Sequence, residues 1–302
     1  MSRYTIKLLF DIPFWAYYWQ CEAMQKYASK DFDVSISSEY KDIREKKYDL
    51  ILQCAFSYAG QLKKAIQTTK QNTILVSYYS VGWNYANDWL TYAIRDSDYV
   101  IINNLEMWEK YGKHPKTITI SNGVDLEKFY ISNPIETRNQ KILWIGSIGH
   151  RKVKNYDSIL VPLSTMLRKE NIAFDFRLVV SYGKNRMNQD QMRDFYNSGT
   201  IYICASSSEG TPNPSIEAAA CGCTLVSSKV GNMPELIKDG INGYLCDTTV
   251  DSLMQGIKSA ITKNKELSIN MQESIKSWGW KERSQQYYNF FRKVIDENNK
   301  SI

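Results

Sequence analysis

Glu209 and Glu217 are spaced so that they could do chemistry together, with seven residues between them in Ser206-Ser207-Ser208-Glu209-Gly210-Thr211-Pro212-Asn213-Pro214-Ser215-Ile216-Glu217-Ala218-Ala219-Ala220-Cys221-Gly222. The segment directly follows a β-rich apolar run. Asn213 has an N-capping side chain, Pro214 suits the first helical position, where a missing N–H costs nothing, and Gly222 is a helix stop. A short helix to about Cys221 is expected, its free amides at the carboxyl edge of the preceding strand, where open α/β sheets bind anions. A diphosphate fits there. The carboxylates suit a polyhydroxylated ligand, because ionised acids accept hydrogen bonds from ribose and sugar hydroxyls. On spacing alone, a solvated loop acid and a first-turn charge favoured by the helix dipole explain the pair equally well.

Other groups belong to the same inventory. Arg151, Lys152 and Lys154 form a basic loop after the strand-like run Lys141–Gly146, and they read either as phosphate ligands or as a solvated surface. Aromatics crowd Phe14, Trp15, Tyr17, Tyr18 and Trp19, and again Tyr78, Tyr79, Trp83 and Tyr85. Such rings cover the apolar side of a pyranose, meet a membrane interface, or simply pack a helix on its sheet. His114, before Pro115, reads as structural, and His150 lies in the basic loop. The six cysteines are scattered through apolar segments, so buried thiols are expected rather than a metal site at Cys221-Gly222-Cys223.

These groups need a scaffold, and 302 residues suffice for two α/β domains. Strand patterns at Thr5–Phe10, Asp33–Ile36, Asp49–Gln53, Thr73–Ser77, Tyr99–Ile102 and Thr117–Ser121 alternate with helical stretches such as Ala59–Thr68 and Tyr85–Arg95. The pattern restarts at Lys141–Gly146, Asp175–Val180, Thr200–Ala205 and Thr224–Ser227, after the polar run Ile131–Gln140 with Pro134, which reads as a linker. The expected division is residues 1–132, residues 139–280 and a C-terminal helix over 281–302 that packs back toward the N-terminal domain through Tyr287, Tyr288, Phe291 and Val294 or Ile295. A net charge of +6 is compatible with nucleic acid, an anionic membrane or a phosphorylated substrate, and no nucleic-acid module is evident. The apolar start, Met1 to Asp11, is too short for a signal segment and is broken by Lys7, and no run reaches the roughly 18 apolar residues of a membrane span. A cytoplasmic location is expected.

Ser207-Ser208-Glu209-Gly210-Thr211-Pro212 and Glu217-Ala218-Ala219-Ala220-Cys221-Gly222 closely resemble the Glu-x7-Glu motif of family-four retaining glycosyltransferases of the GT-B fold. Ile120-Ser121-Asn122-Gly123-Val124-Asp125 with Phe129, the run Lys141 to Asn155, Val230 to Ile237 and Asp239 to Leu245 are similar to further family segments in the same order. The first 110 or so residues match in architecture alone. The resemblance implies two Rossmann-like domains facing a central cleft, with the acceptor on the first and a nucleotide-sugar donor on the second. It implies a hexosyl- or pentosyltransferase that needs no metal or cofactor and moves a sugar from a nucleoside-diphosphate sugar to a glycan, glycolipid or glycoprotein hydroxyl. Peripheral membrane contact is allowed and nucleic acid is not expected.

Carried over by position, Glu209 faces the transferred sugar, Lys154 the diphosphate and Glu217 the ribose. The amides of Gly210, Thr211, Pro212 to Pro214 and Ser215, with Gly146, Ser147, Arg151 and Lys152, complete the donor side; Pro212 and Pro214 contribute only shape, having no N–H. Phe14, Trp15, Tyr17, Tyr79 and Trp83 are the acceptor-side candidates. The family's arginine after the first-strand glycine is replaced by Ser147, and the usual N-terminal glycine-rich loop by Asp11 to Trp19. The alternative is a protein of the same fold that binds a nucleotide sugar, or a catalytic partner, without catalysing transfer.

Overall fold

The computed structural model describes residues 4–39, 43, 46–54, 59–69, 72–80, 86–180 and 187–300. They form two compact units, one running to Gly123 and resuming at Trp280, the other spanning Val124–Gly279.

The first unit is built on β1 (Tyr4–Leu9), β2 (Phe32–Ser37), β3 (Leu50–Gln53), β4 (Ile74–Tyr79), β5 (Tyr99–Ile102) and β6 (Thr117–Thr119). They pair in parallel in the order β2-β1-β3-β4-β5-β6. Helices α1 (Ala16–Lys26), α2 (Ala59–Thr68), α3 (Ala86–Asp96) and the single turn α4 (Leu105–Met107) fall between strands. Strands β3 and β4 are buried at every position, as parallel strands covered on both faces must be.

The second unit repeats the plan with β7 (Lys141–Ser147), α5 (Val161–Lys169), β8 (Ala173–Val179), α6 (Gln189–Asn197), β9 (Ile201–Cys204), α7 (Asn213–Ala220), β10 (Thr224–Ser228), α8 (Met233–Leu236), β11 (Gly243–Cys246) and α9 (Val250–Lys276). Its strand order is β11-β10-β9-β7-β8, all parallel. The edge strand β11 lies beyond the strand patterns read from the sequence. Its four residues, Gly243 to Cys246, are too few to show a period, and their strand partner is β10. Helix α9 bends at Lys263, whose φ of −117° and ψ of 16° leave the helical region.

The terminal helix α10 (Trp280–Lys300) belongs to the first unit. The aromatic face anticipated from spacing is the one it buries: Tyr287, Tyr288 and Phe291 are fully sealed, and the Tyr288 hydroxyl donates to Met24 O of α1 at 2.7 Å.

The polar run 131–140 is not a free linker, because the chain from Val124 onward already packs into the second unit. Val124 and Phe129 join its core. Arg138 is buried, its guanidinium donating to Asn133 O (2.7 Å), Gly199 O (3.2 Å), Asn197 Oδ1 (2.7 Å) and Cys221 O (2.8 Å). A polar sequence looks the same whether it is solvated or satisfied internally, and here the guanidinium finds acceptors that the folded unit supplies.

Candidate active site

In the second sheet the chain passes from β7 outward to β8, then returns to β9 and continues the other way through β10 to β11. The strand order therefore reverses between β7 and β9, and the loops leaving that point diverge to form a crevice in folds of this kind. Those two loops carry Lys154 and Glu209.

The loops are tied together. Val153 O accepts from the Ser207 N–H at 2.9 Å, and the Asn155 side chain donates to Ala205 O at 2.8 Å. Asn155 sits at φ 53°, a left-handed conformation that Asn tolerates better than most residues. Asn155→Ala is expected to cost about 2 kcal/mol of unfolding free energy, roughly half from backbone strain and half from the lost bond. Asn155→Gly, which relieves the strain, should cost about half as much. Denaturant unfolding of both variants checks this, and equal losses would show that the conformation stores no strain.

Between the loops the Lys154 Nζ lies 2.5 Å from Glu209 Oε1, with the side chains only 16% and 14% exposed. Ser206 donates to the same oxygen at 2.8 Å. Burial pulls the Lys154 pKa down, but the Glu209 carboxylate more than reverses this and holds it above its ordinary value. The ammonium is thus fixed in place and charged.

On its other side the Glu209 loop rests on the turn after β10. Ser228 donates to Ser206 O at 2.7 Å, and the Asn232 amide donates to Thr211 Oγ1 at 2.8 Å. Gly231, at φ 53°, passes so close that a Cβ there would lie 2.2 Å from Gly210 O. Three buried polar atoms around this loop, Ser208 Oγ, Ser215 Oγ and Asn232 Oδ1, have no hydrogen-bond partner among the described residues. Groups like these are ordinarily satisfied, so they mark a place where a polar ligand can complete the structure.

Helix α7 begins one residue earlier than expected. Asn213 is its first residue rather than its N-cap, because Thr211 O accepts from the Asn213 N–H at 2.9 Å and Pro212 takes the capping position. Pro212 has no side-chain acceptor, Pro214 has no N–H, and the Ser215 N–H is taken by Pro212 O at 2.8 Å. The far end closes as anticipated at Gly222, φ 87°: its N–H reaches Ala219 O and the Cys223 N–H reaches Ala218 O, the paired bonds of a Schellman cap.

Glu217, half-buried on α7, accepts from the Tyr196 hydroxyl at 2.8 Å. Burial pushes its carboxyl up to about 7, against the lowering effect of that hydrogen bond. Tyr202 is buried nearby, bonded through its hydroxyl to Ile145 O at 3.1 Å. Burial first, then Cys204, Glu217 and Glu209, hold its proton on, against the opposing hydrogen bond with Ile145.

The remaining donor-side candidates lie as follows. Gly146 is explained by packing, since a Cβ there would stand 2.4 Å from the Trp144 ring. Ser147 accepts from the Gly149 N–H at 3.2 Å, closing a short turn. Arg151 is bidentate to the Asp157 carboxylate and stacks 5.1 Å from the Tyr156 ring centroid, so it is held by its own loop. Lys152 and His150 are exposed.

On the first unit, Phe14 is 51% exposed at φ 61°, against the rings of Tyr18 and Trp19. Trp15 and Tyr17 are half-buried, Tyr17 lying edge-on to Tyr78 at 6.1 Å. Tyr79 is corrected: as the last residue of β4 it is fully buried among Leu90, Ala93, Val100, Ile102 and Met107, so no acceptor can touch it. Trp83 lies outside the described residues. His114 is exposed and accepts through Nδ1 from the Lys116 N–H at 3.2 Å, a turn contact. All six cysteines are buried thiols, and no group of three or more His, Cys, Asp or Glu able to hold a metal occurs among the described residues.

Tyr196, Ser206, Asn232 and Arg138 are the residues that sequence reasoning did not reach. Ser206, three positions before Glu209, is the one whose local spacing carried a signal, because a hydroxyl at that distance can fold back on the acid.

Residues 182–278 match the family model "Glycosyl transferases group 1". The chain is 23% identical over 217 residues to alpha-maltose-1-phosphate synthase of Mycobacterium tuberculosis, covering 58% of this chain and 56% of the relative. It is 27% identical over 241 residues to the GPI3 component of phosphatidylinositol N-acetylglucosaminyltransferase from Saccharomyces cerevisiae, covering 68% of this chain and 53% of the relative. It thus spans about half the length of these curated relatives. Among solved structures, sucrose-phosphate synthase from Thermosynechococcus elongatus superposes with a TM-score of 0.70 at 14% identity, over 98% of this chain and 100% of that one. Anabaena HepE in complex with UDP and glucose superposes with a TM-score of 0.66 at 15% identity, over 95% and 99%. The fold is accordingly that of the GT-B glycosyltransferases: two parallel-sheet Rossmann-like domains with a C-terminal helix. No helix among the described residues is long and apolar enough to cross a membrane.

Proposed function

We propose that this chain is a retaining glycosyltransferase that moves a hexosyl or pentosyl group from a nucleoside-diphosphate sugar to a hydroxyl of a glycan, glycolipid or glycoprotein. The observation that carries the reading is the Lys154–Glu209 pair at the reversal point of the second sheet, with Glu209 on the loop that leads into α7. The donor sits on the second unit, with Glu217 on the ribose hydroxyls and the loop from Gly210 to Ser215 toward the diphosphate. Lys154 faces the phosphate that leaves and Glu209 faces the sugar. Among the described residues, the rings of Phe14, Trp15 and Tyr17 are the acceptor-side candidates that remain.

The bond from the anomeric carbon to the phosphate oxygen breaks, and an acceptor hydroxyl enters on the same face of the sugar. Its proton passes to the departing phosphate, so no separate base is required. Charge grows on the leaving oxygen, where a preorganised ammonium or amide is worth about 3 kcal/mol. Lys154 is suited to this because its partner keeps it protonated and its loop keeps it still.

UDP-, GDP- and ADP-sugars offered to the purified protein test the reading, with UDP-sugars first because the HepE structure holds UDP. Nucleotide release with retention of the anomeric configuration is expected. Because Lys154 and the helix end supply the positive charge, most of the rate should survive EDTA. Complete loss restored by magnesium or manganese would reject the metal-free mechanism. Tight donor binding without turnover would instead favour a non-catalytic binding protein, which the serine at position 147 and the engagement of Arg151 with Asp157 also fit.

A further inference from the structure

We infer that Tyr196 is a positioning residue for the donor's ribose, holding the Glu217 carboxylate so that its other oxygen faces the ribose hydroxyls. The inference rests on the donor reading above.

The geometry is specific. The Tyr196 hydroxyl donates to Glu217 Oε2 at 2.8 Å, and the Tyr196 side chain is completely buried. Its ring is clamped by Phe129 at 6.1 Å, Phe195 at 5.6 Å and Tyr202 at 5.7 Å, the last edge-on. Its backbone carbonyl accepts from the Cys223 thiol at 3.2 Å. A hydroxyl at the tip of so confined a ring cannot follow the carboxylate, so the carboxylate must settle on the hydroxyl. Glutamate has three side-chain torsions, and fixing one oxygen removes much of the rotamer freedom that a ligand would otherwise have to freeze.

The same bond bears on charge. Burial disfavours the ionised Glu217, and the Tyr196 donor opposes that effect. Among the described residues, Tyr202 from β9 and Cys221 at the end of its own helix feel the Glu217 charge, and Cys223 before β10 acts on Cys221. Burial raises all three, as it raises Tyr196 itself, so they stay neutral near pH 7. Arg138 and Arg193 reach Cys221 and stay cationic there. Glu217 is therefore the group in this setting that titrates near neutrality. Its raised pKa favours folding below its ordinary value of 4.5, and that contribution is lost as the pH rises through about 7. Ribose binding runs the other way, because the ionised carboxylate is the better acceptor.

The experiment measures binding of UDP, GDP and ADP to the wild-type protein, and then follows whichever binds from pH 5.5 to 9 in Tyr196→Phe, Glu217→Gln and the double variant. Phenylalanine keeps the ring packing, and thermal unfolding confirms that the variant is folded. Tyr196→Phe is expected to weaken binding about tenfold at pH 7 and to displace the affinity profile upward by about one pH unit, the gap narrowing above about pH 8.5 to a residual loss of about twofold to threefold from the freed carboxylate rotamers. The phosphate's own ionisation is common to both profiles and cancels in the comparison. In the Glu217→Gln background, Tyr196→Phe should change the affinity less than twofold, and the 2′,3′-dideoxy nucleotide should bind wild type and Tyr196→Phe alike. An unchanged profile, or a loss equal at every pH and for both nucleotides, overturns the role of Tyr196 while leaving the donor reading standing. Failure of all three nucleotides to bind the wild type overturns that reading and this inference with it.

Discussion

Glu209→Gln is expected to lower kcat by about ten- to a thousandfold, whereas Glu217→Gln should raise the donor KM with little effect on kcat. The ribose is a spectator, so contacts to it act alike on ground and transition states. The sugar ring gathers positive charge as its bond to diphosphate breaks, and a fixed carboxylate matters most at that moment. The structure adds a second reason for a large effect at Glu209. Its Oε1 is the anionic partner of Lys154, so the neutral amide also removes the charge that offsets the burial of the ammonium. Lys154 should then lose its proton more easily, and the variant's residual rate should fall further toward high pH. Steady-state kinetics of both variants with the donor that the wild type uses decide the matter. Pure KM effects of similar size in both would reject this division of roles.

Arg138→Met should destabilise the second unit by about 3 kcal/mol or more, because the side chain is replaced by one of similar length with no donor. Gly199 O, Asn197 Oδ1 and Cys221 O would lose the guanidinium, and buried acceptors left without a donor cost about 1–3 kcal/mol each. Cys221 O lies at the carboxyl end of α7, so the same change loosens the helix that carries Glu217. Arg138→Lys should recover only part of the loss, since a single ammonium cannot span the acceptors that the planar fork reaches. Urea unfolding followed by tryptophan fluorescence, with Trp144 and Trp278 buried in this unit, gives the measurement. A loss below about 1 kcal/mol would mean that water satisfies those carbonyls instead.

Much of the scaffold was legible because its signals are local. Alternating apolar runs and helical stretches anticipated ten of the strands, and the Tyr287, Tyr288 and Phe291 spacing identified the buried face of α10 before any contact was known. Gly222 announced its own positive φ. Tyr79 misled because a strand's last residue can point into the crevice or into the core, and alternation along β4 disappears where both faces are covered. Asn213 misled by one residue, since Pro212 and Pro214 both fit the start of a helix and the choice between them depends on the Thr211 carbonyl.

The sequence by itself determined the α/β class and the loop and short helix that carry Glu209 and Glu217, which follow from residue type and near-neighbour spacing, and the family resemblance singled out Lys154 from its basic loop. Only the tertiary structure decided which partners those groups meet. Lys154 is 55 residues from Glu209, Tyr196 is 21 from Glu217, and Arg138 is 83 from Cys221. No periodicity relates such positions. They meet because parallel pairing places the carboxyl end of β7 beside that of β9 and lays α6 against α7, and hydrogen bonds and ion pairs act through space over a few ångströms, whatever length of chain lies between.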